Sequence, residues 1–202
     1  MGLETIVRGL GSALAWGALG SLMFGIWRGA RRPAGRAVGL AVGWLRSPRF
    51  YLLALVAFLG CSVFGWRSIP LELPTSLRIV VLIVGAMAYF PGMACLLWGR
   101  FTLGKMYFVS TGFGAQLYAD HQLVTHGPFA IVRHPMYVGL ISAAFGSLLI
   151  YQTWTTVAFA AFAPFVLRRA RREEQALAAE FGDRWSTYCR RVPAFFPRLR
   201  KR

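Results

Sequence analysis

Three observations predict an all-α fold: a polytopic membrane helix bundle of about five transmembrane helices with a cytoplasmic C-terminal helix. Hydrophobic residues make up 56% of the 202 residues and mean hydropathy is +0.51, too apolar for an ordinary soluble domain. Apolar runs recur at roughly 10–27, 50–66, 77–99, 135–151 and 153–167, several near the lower limit of about 17 residues for crossing a hydrocarbon core of about 30 Å. The basic residues, finally, collect on one side of those runs.

The first run follows a nearly uncharged N-terminus. Its A-L-A at 13–15 precedes most of the apolar stretch instead of following it, which predicts a retained span and not a signal peptide. Ala13, Gly17, Ser21 and Gly25 recur every four residues, a small-residue face that lets helix backbones approach closely in lipid; packing within the chain is the expected use. The run at 36–45 is too short to span and is expected at the interface. Pro91 and Pro164 lie inside the third and fifth runs, where each removes a backbone donor and predicts a kink. Little more than Gln152 separates the fourth and fifth runs, predicting a tight helical hairpin. Beyond them, R-R-A-R-R-E-E-Q-A-L-A-A-E-F-G combines good helix formers with a terminal glycine, the pattern of a helix running out of the membrane. The chain thus divides into N-terminal spans with an interfacial segment (1–99) and a C-terminal working part (100–202).

With five spans, the 28–49 loop, the 100–134 loop and the tail from Arg168 fall on one side and carry twenty of the twenty-three Lys and Arg residues; Arg8, Arg67 and Arg78 fall on the other. The positive-inside rule then places the N-terminus outside and the tail in the cytoplasm. A net charge of +16 distributed in this way argues against a nucleic-acid partner and for a tail lying on anionic membrane lipids. Cys61, Cys95 and Cys189 stand alone, without the paired spacing of a disulfide framework or a zinc site.

Chemistry concentrates in residues 121–139, H-Q-L-V-T-H-G-P-F-A-I-V-R-H-P-M-Y-V-G, which hold all three histidines. Their separations of five and eight match no helical two-histidine metal motif, and no acidic or thiolate partner completes one. No metal is expected. Gly112-Phe113-Gly114 lacks the third glycine of a dinucleotide fingerprint, and no nucleophile triad is readable. Pro135 suits the first turn of the fourth helix. That puts His134 at a helix N-terminus, where free N–H groups favour an anion. From the residues alone, His134 is either a cap or a ligand contact, and Tyr137 either an interfacial aromatic or part of a site. Arg169 and Glu173, four apart, share a helix face as a surface ion pair worth at most about 0.5 kcal/mol or as functional groups.

L-V-T-H-G-P-F-A-I-V-R-H-P-M-Y-V-G followed by E-E-Q-A-L-A-A-E-F-G-D-R-W-S-T-Y-C-R-R-V-P resembles the isoprenylcysteine carboxyl methyltransferase family, over roughly residues 98–197. The resemblance implies an S-adenosylmethionine-dependent enzyme that methylates the carboxylate of a prenylated cysteine or a similar lipophilic acceptor. By position it implies cofactor contacts from His121, Gln122, Leu123, Val124, Phe129, His134, Pro135, Met136, Tyr137 and Glu173. Arg169 supports the substrate and is the candidate catalytic residue, and Glu174 is the second acid of the pattern. Phe129 stands where the family often has Tyr, and an upstream glutamine contact has no clean counterpart, Gln116 being nearest. The other readings are a phospholipid or small-lipid methyltransferase, for which His126 or Glu174 would be the base to test, an NADPH-dependent sterol-type reductase, whose R-H-P-N-Y pattern departs at Met136, and a non-catalytic membrane component.

Overall fold

The computed structural model describes residues 2–40 and 42–197; residues 198–202, four of them basic, lie outside it. Seven α-helices carry most of the described residues: α1 Leu3–Ala30, α2 Pro48–Phe64, α3 Thr75–Leu103, α4 Pro135–Tyr151, α5 Trp154–Phe162, α6 Val166–Phe181 and α7 Asp183–Arg191. Among the described residues two segments, Leu3–Ala30 and Thr75–Met106, are long and apolar enough to cross a membrane, while Pro48–Phe64 and Pro135–Tyr151 are apolar but shorter.

Apolar all round, α2 buries none of its residues, and Leu52, Leu53, Val56, Phe58, Val63 and Phe64 lie exposed on it. In water such a helix would carry a large unfavourable apolar surface, whereas lipid accepts it.

The most extensive helix pairing joins α3 to α4. Glycines spaced by seven, Gly85 and Gly92 on one helix, Gly139 and Gly146 on the other, bring the two backbones together. A Cβ on Gly139 would lie 2.5 Å from the Gly92 carbonyl oxygen and 2.6 Å from the Leu96 nitrogen. Around this crossing Leu82, Tyr89, Met93, Leu96, Ala143 and Ile150 form the main core, joined by Ala18 of α1.

The small-residue face expected on the first helix is used only in its second half, where Ser21 is half-buried and Gly25 buried. Ala13 and Gly17 are exposed, and the buried positions are Gly11, Ala18, Gly25 and Gly29. The reason is the size of what docks there. Tyr89 donates its hydroxyl to the Gly11 carbonyl at 2.7 Å, and the Arg100 guanidinium and Tyr107 ring lie where a Gly25 Cβ would stand.

The expected hairpin between the fourth and fifth runs is present. Gln152 takes a left-handed conformation (φ 53°) and Thr153 caps α5 in a reciprocal capping box with Thr156. The fifth run itself is a correction: α5 has nine residues and gives way at Pro164 to a 3-10 turn, Ala163–Phe165, before α6 begins. Pro164 has no N–H to continue the ladder.

The larger correction is that the fold is not all-α. A three-stranded antiparallel sheet, in the order β1-β3-β2, joins two loops at the charged end of the bundle: β1 Ala34–Gly39, β2 Val109–Ser110 and β3 Gly114–Tyr118. The 36–45 run expected at the interface contributes β1 and a 3-10 turn, Val42–Arg46, with Ala41 outside the described residues. One face of the sheet packs on α6, burying Ala115, Leu117 and Ala176 with Val38, Phe108 and Leu177 around them. At the opposite end of the bundle a cleft of about 600 Å³ is bordered by Glu4, Arg8, Trp66, Arg78 and Tyr151, remote from the residues considered next.

Candidate active site

Pro135 opens α4 with its ring-fixed φ, and His134 stands as N-cap residue with its carbonyl accepting from the Tyr137 and Val138 N–H groups, both at 3.1 Å. The two amides before the proline cannot join the helix and are satisfied from far along the chain: Arg133 N–H donates to the Pro193 carbonyl at 2.9 Å and His134 N–H to that of Ala194 at 3.0 Å. Residues 193–195 thus form a strap over the start of α4. Its Phe195 ring stacks on the His134 imidazole at 5.1 Å, with Tyr137 on another side at 5.6 Å.

Facing this N-terminus, α6 presents adjacent carboxylates with separate partners. Glu174 accepts from His134 Nε2 at 3.0 Å and pairs with Arg133 at 3.0 Å. The bond from His134 is the main cause of a Glu174 carboxyl held below its ordinary range, with Arg133 adding to it and burial opposing. Glu173 accepts the Tyr137 hydroxyl, and Arg169 Nε lies 3.6 Å from the same oxygen. The Arg169 guanidinium also stands 5.7 Å from the Tyr137 ring centre. Burial disfavours its charge, but Tyr137, Glu173 and Tyr107 around it more than compensate, holding it above its ordinary range. The i,i+4 pair read from spacing is therefore real and is tied to α4 by a tyrosine.

What orients α6 is the sheet packed along it, reinforced by the Arg36–Glu180 ion pair at 3.1 Å. At the far end of α6, His121 packs edge-on to Phe108 at 5.1 Å and beside Phe181 at 6.1 Å. That is eight residues, or about 12 Å of helix, from Glu173. Burial, then Arg32, pushes the His121 imidazole down to about 4, so it is neutral at pH 7. Its Nδ1 is buried with no hydrogen-bond partner.

Leu123 joins the cluster of Trp185, Tyr188 and Val192 formed by α7 and the segment after it. Gln122 is exposed with its N–H on the Met106 sulfur, and Val124 is half-buried. Phe129 is buried, and its carbonyl accepts the Tyr188 hydroxyl at 2.6 Å. Pro135 is among the most deeply buried residues, and Met136 packs across Gly99. His126 is exposed before the 3-10 turn Gly127–Ala130, and Gln116 sits in the middle of β3.

His134, Tyr137, Arg169, Glu173 and Glu174 thus converge directly. The 121–124 segment reaches the same assembly through α7 and the end of α6. Sequence reasoning passed over Arg133, Trp185, Tyr188 and Phe195. For the last three the signal was aromatic residues recurring in an otherwise basic tail, and for Arg133 its place directly before His134-Pro135.

The model of the phospholipid methyltransferase family matches residues 80–184, about half the chain. The chain belongs to the phospholipid methyltransferase family. The family match includes every residue of the cluster just described except the strap and the aromatics of α7, which lie immediately beyond it. Among curated relatives, the protein-S-isoprenylcysteine O-methyltransferase of Schizosaccharomyces pombe is 38% identical over 80 residues, 39% of this chain and 34% of that protein. Protein-S-isoprenylcysteine O-methyltransferase B of Arabidopsis thaliana is 34% identical over 79 residues, 38% of this chain and 40% of that protein. The cobalt-zinc-cadmium resistance protein CzcN of Cupriavidus metallidurans is 39% identical over 85 residues, 40% of this chain and 38% of that protein. The chain thus spans little more than a third of the length of these relatives. The resemblance to isoprenylcysteine methyltransferases is borne out at the level of family, and a membrane methyltransferase is the class these relatives support.

Proposed function

We propose that the protein is an integral membrane methyltransferase that uses S-adenosylmethionine to methyl-esterify the carboxylate of a prenylated cysteine or a similar lipophilic acid. The observation that carries this reading is the Tyr137–Glu173–Arg169 constellation, which sets a guanidinium beside a carboxylate already engaged by α4. Five crossings with the N-terminus outside, the last made by α5, the 3-10 turn and the start of α6 together, would put the sheet, the rest of α6, α7 and the site on the cytoplasmic face. The apolar exposure of α2 and the gathering of basic side chains at the site end support that arrangement.

The residues present fit the cofactor. His121 Nδ1, buried without a partner at one end of α6, and the Glu173 carboxylate beside Tyr137, near the His134 and Phe195 rings, at the other offer polar atoms and aromatic faces suited to a polar, aromatic, cationic ligand. The loop at 121–124, His134 to Tyr137 with Phe129 beneath them, and Glu173 would hold it. S-adenosylmethionine supplies a methyl group on a sulfonium, an activated leaving group.

An ionised carboxylate needs no base. The task of the chain is to align the acceptor and exclude water, and positioning of this kind is worth up to roughly 7–11 kcal/mol. Arg169 offers a planar fork of donors for a carboxylate, and the Phe195 strap closes the site from outside the bundle. An amine acceptor would require a free base. Glu174 is engaged by both His134 and Arg133, and His126 is exposed away from the pair, which favours the carboxylate.

The test is calorimetric titration of S-adenosylhomocysteine into detergent-purified protein, wild type beside Glu173→Ala and His134→Ala. Saturable binding that both substitutions abolish is expected. Absence of binding, with NADPH bound instead, would overturn the reading in favour of a reductase.

A further inference from the structure

At the end of the bundle opposite the His134–Glu174 contact, the first turns of α1 carry a polar stripe. Glu4, Thr5, Arg8, Gly9 and Ser12 recur at the spacing of one helix face, while Leu3, Ile6 and Leu10 between them are exposed. The stripe lines one side of the cleft of about 600 Å³, within the range of ordinary ligand sites. Ionisable side chains on a membrane-spanning helix turn toward protein or a polar cavity and mark functional sites.

Charge gives the class of ligand. Arg8, Arg67 and Arg78 are the basic residues that the alternation of spans leaves at this end, and two of them border the cleft. Arg8 and Arg78 each place Nη2 on the same Glu4 oxygen, at 2.8 and 2.7 Å, so two cations share one carboxylate. Arg8 also donates through Nε to the Ile150 carbonyl at 3.1 Å. Among the described residues no further acceptor meets either guanidinium. The wall therefore carries one uncompensated positive charge and unused donors, the complement of a singly charged oxyanion. Glu72, on the adjoining recess of about 330 Å³, counts against a polyanion.

The floor of the cleft is built from fixed groups. The Tyr151 hydroxyl donates to the Arg8 carbonyl at 2.9 Å, with the Ser12 hydroxyl 3.1 Å away. The exposed Trp66 ring stands 5.5 Å from that of Tyr151. Nothing lies within 4 Å of where a Gly9 Cβ would stand, so this side is open. The chain next to the lining residues is apolar and exposed: Leu3 and Leu10 on α1, Phe64 before Trp66, Leu77 and Ile79 beside Arg78. A free aqueous ion gains nothing from such a border. A phospholipid lays its acyl chains along it and holds its phosphate at the level of an interfacial tryptophan.

We propose that this cleft binds the phosphodiester headgroup of a membrane glycerophospholipid, with Arg8 and Arg78 donating to its phosphate oxygens. The bound lipid ties the start of α1 to α3 and to the turn between α4 and α5, which together border the cleft. The site is separate from the proposed methyl-transfer centre and does not depend on that reading.

The experiment titrates delipidated, detergent-purified full chain with dioleoylphosphatidylglycerol and reads bound lipid by native mass spectrometry. Arg8→Gln/Arg78→Gln removes both cations. Gly9→Leu fills the open side of the cleft, leaves every charge in place and puts a better helix former in α1. The expected result is a tight lipid site in wild type and in Arg67→Gln, with the Kd raised about tenfold or more in the double variant and in Gly9→Leu. Undiminished binding by the double variant overturns the proposal. Equal competition by dioleoylglycerol, which lacks the phosphate, overturns it by showing an apolar contact only. Displacement of the lipid by inorganic phosphate overturns it in favour of an aqueous anion. Should circular dichroism show the double variant unfolded, Gly9→Leu decides alone, and wild-type affinity there refutes the site.

Discussion

Replacing Glu174 by Gln tests whether the second carboxylate of α6 frames the site. The substitution conserves shape and removes charge. Wild-type Glu174 has two partners, each at 3.0 Å, His134 Nε2 and the Arg133 guanidinium. Hydrogen bonds to charged groups contribute about 1.5–3 kcal/mol each. The Glu174 side chain is 30% exposed, so solvent screens part of this, and the amide still accepts from one partner. The net loss is then about 1–2 kcal/mol, or roughly 3–6 °C in Tm for a chain of this size. The pH dependence supplies a second signature. Because the folded-state pKa of Glu174 is depressed, its contribution is fully present above the unfolded value of about 4.3 and disappears as pH falls through the folded value. Thermal unfolding of both proteins from pH 7 downward should show a constant gap that closes under acid. Equal Tm values at pH 7, or a gap that persists at the lowest pH, would refute the account of Glu174 as an ionised clasp on α4.

His121, with its imidazole pushed down to about 4, gives a dependence in a different window. The unfolded chain takes up a proton near 6.5 while the folded one does not, so stability falls from pH 6.5 toward 4 by up to about 3 kcal/mol, and His121→Phe should flatten that part of a Tm–pH curve. Gly139→Ala places a Cβ 2.5 Å from the Gly92 carbonyl oxygen and is expected to cost about 1–3 kcal/mol, whereas Gly17→Ala, with nothing within 4 Å, should leave Tm unchanged in the same thermal-shift assay. Tyr188→Phe loses the 2.6 Å bond to the Phe129 carbonyl; calorimetry should show S-adenosylhomocysteine binding weakened severalfold, and thermal unfolding a cost of about 1 kcal/mol.

The helices were legible because lipid-facing sequence is redundant: a run such as 77–99 reads as a span wherever one begins counting. Their exact ends and breaks were less so, as α5 shows, where Pro164 divides a run that hydropathy alone leaves whole. The sheet was invisible for a physical reason. A-G-R-A-V-G and G-A-Q-L-Y are short, glycine-bearing and weak in intrinsic strand preference, and they become strands by pairing across loops distant in the chain. At the site, Arg169 and Glu173 could be paired from helical spacing, but the clasp of Glu174 on His134 and Arg133 depends on how α4 meets α6, which no local pattern encodes. Of the small residues on α1, spacing alone found Gly25 but also named the exposed Ala13 and Gly17, because burial there was decided by where Arg100 and Tyr89 needed room.

The bonds from Arg133 and His134 to the carbonyls of Pro193 and Ala194 impose an order on synthesis. The fourth helix is synthesised before residues 193–195, which follow it by some forty positions. Until then the two amides preceding Pro135 have only water, and the His134 ring lacks its Phe195 cover. A nascent or stalled chain therefore has its transmembrane frame without a finished pocket. On the proposed reading, chains cut short before this strap should fail to bind S-adenosylhomocysteine, so that binding reports a chain complete through Phe195.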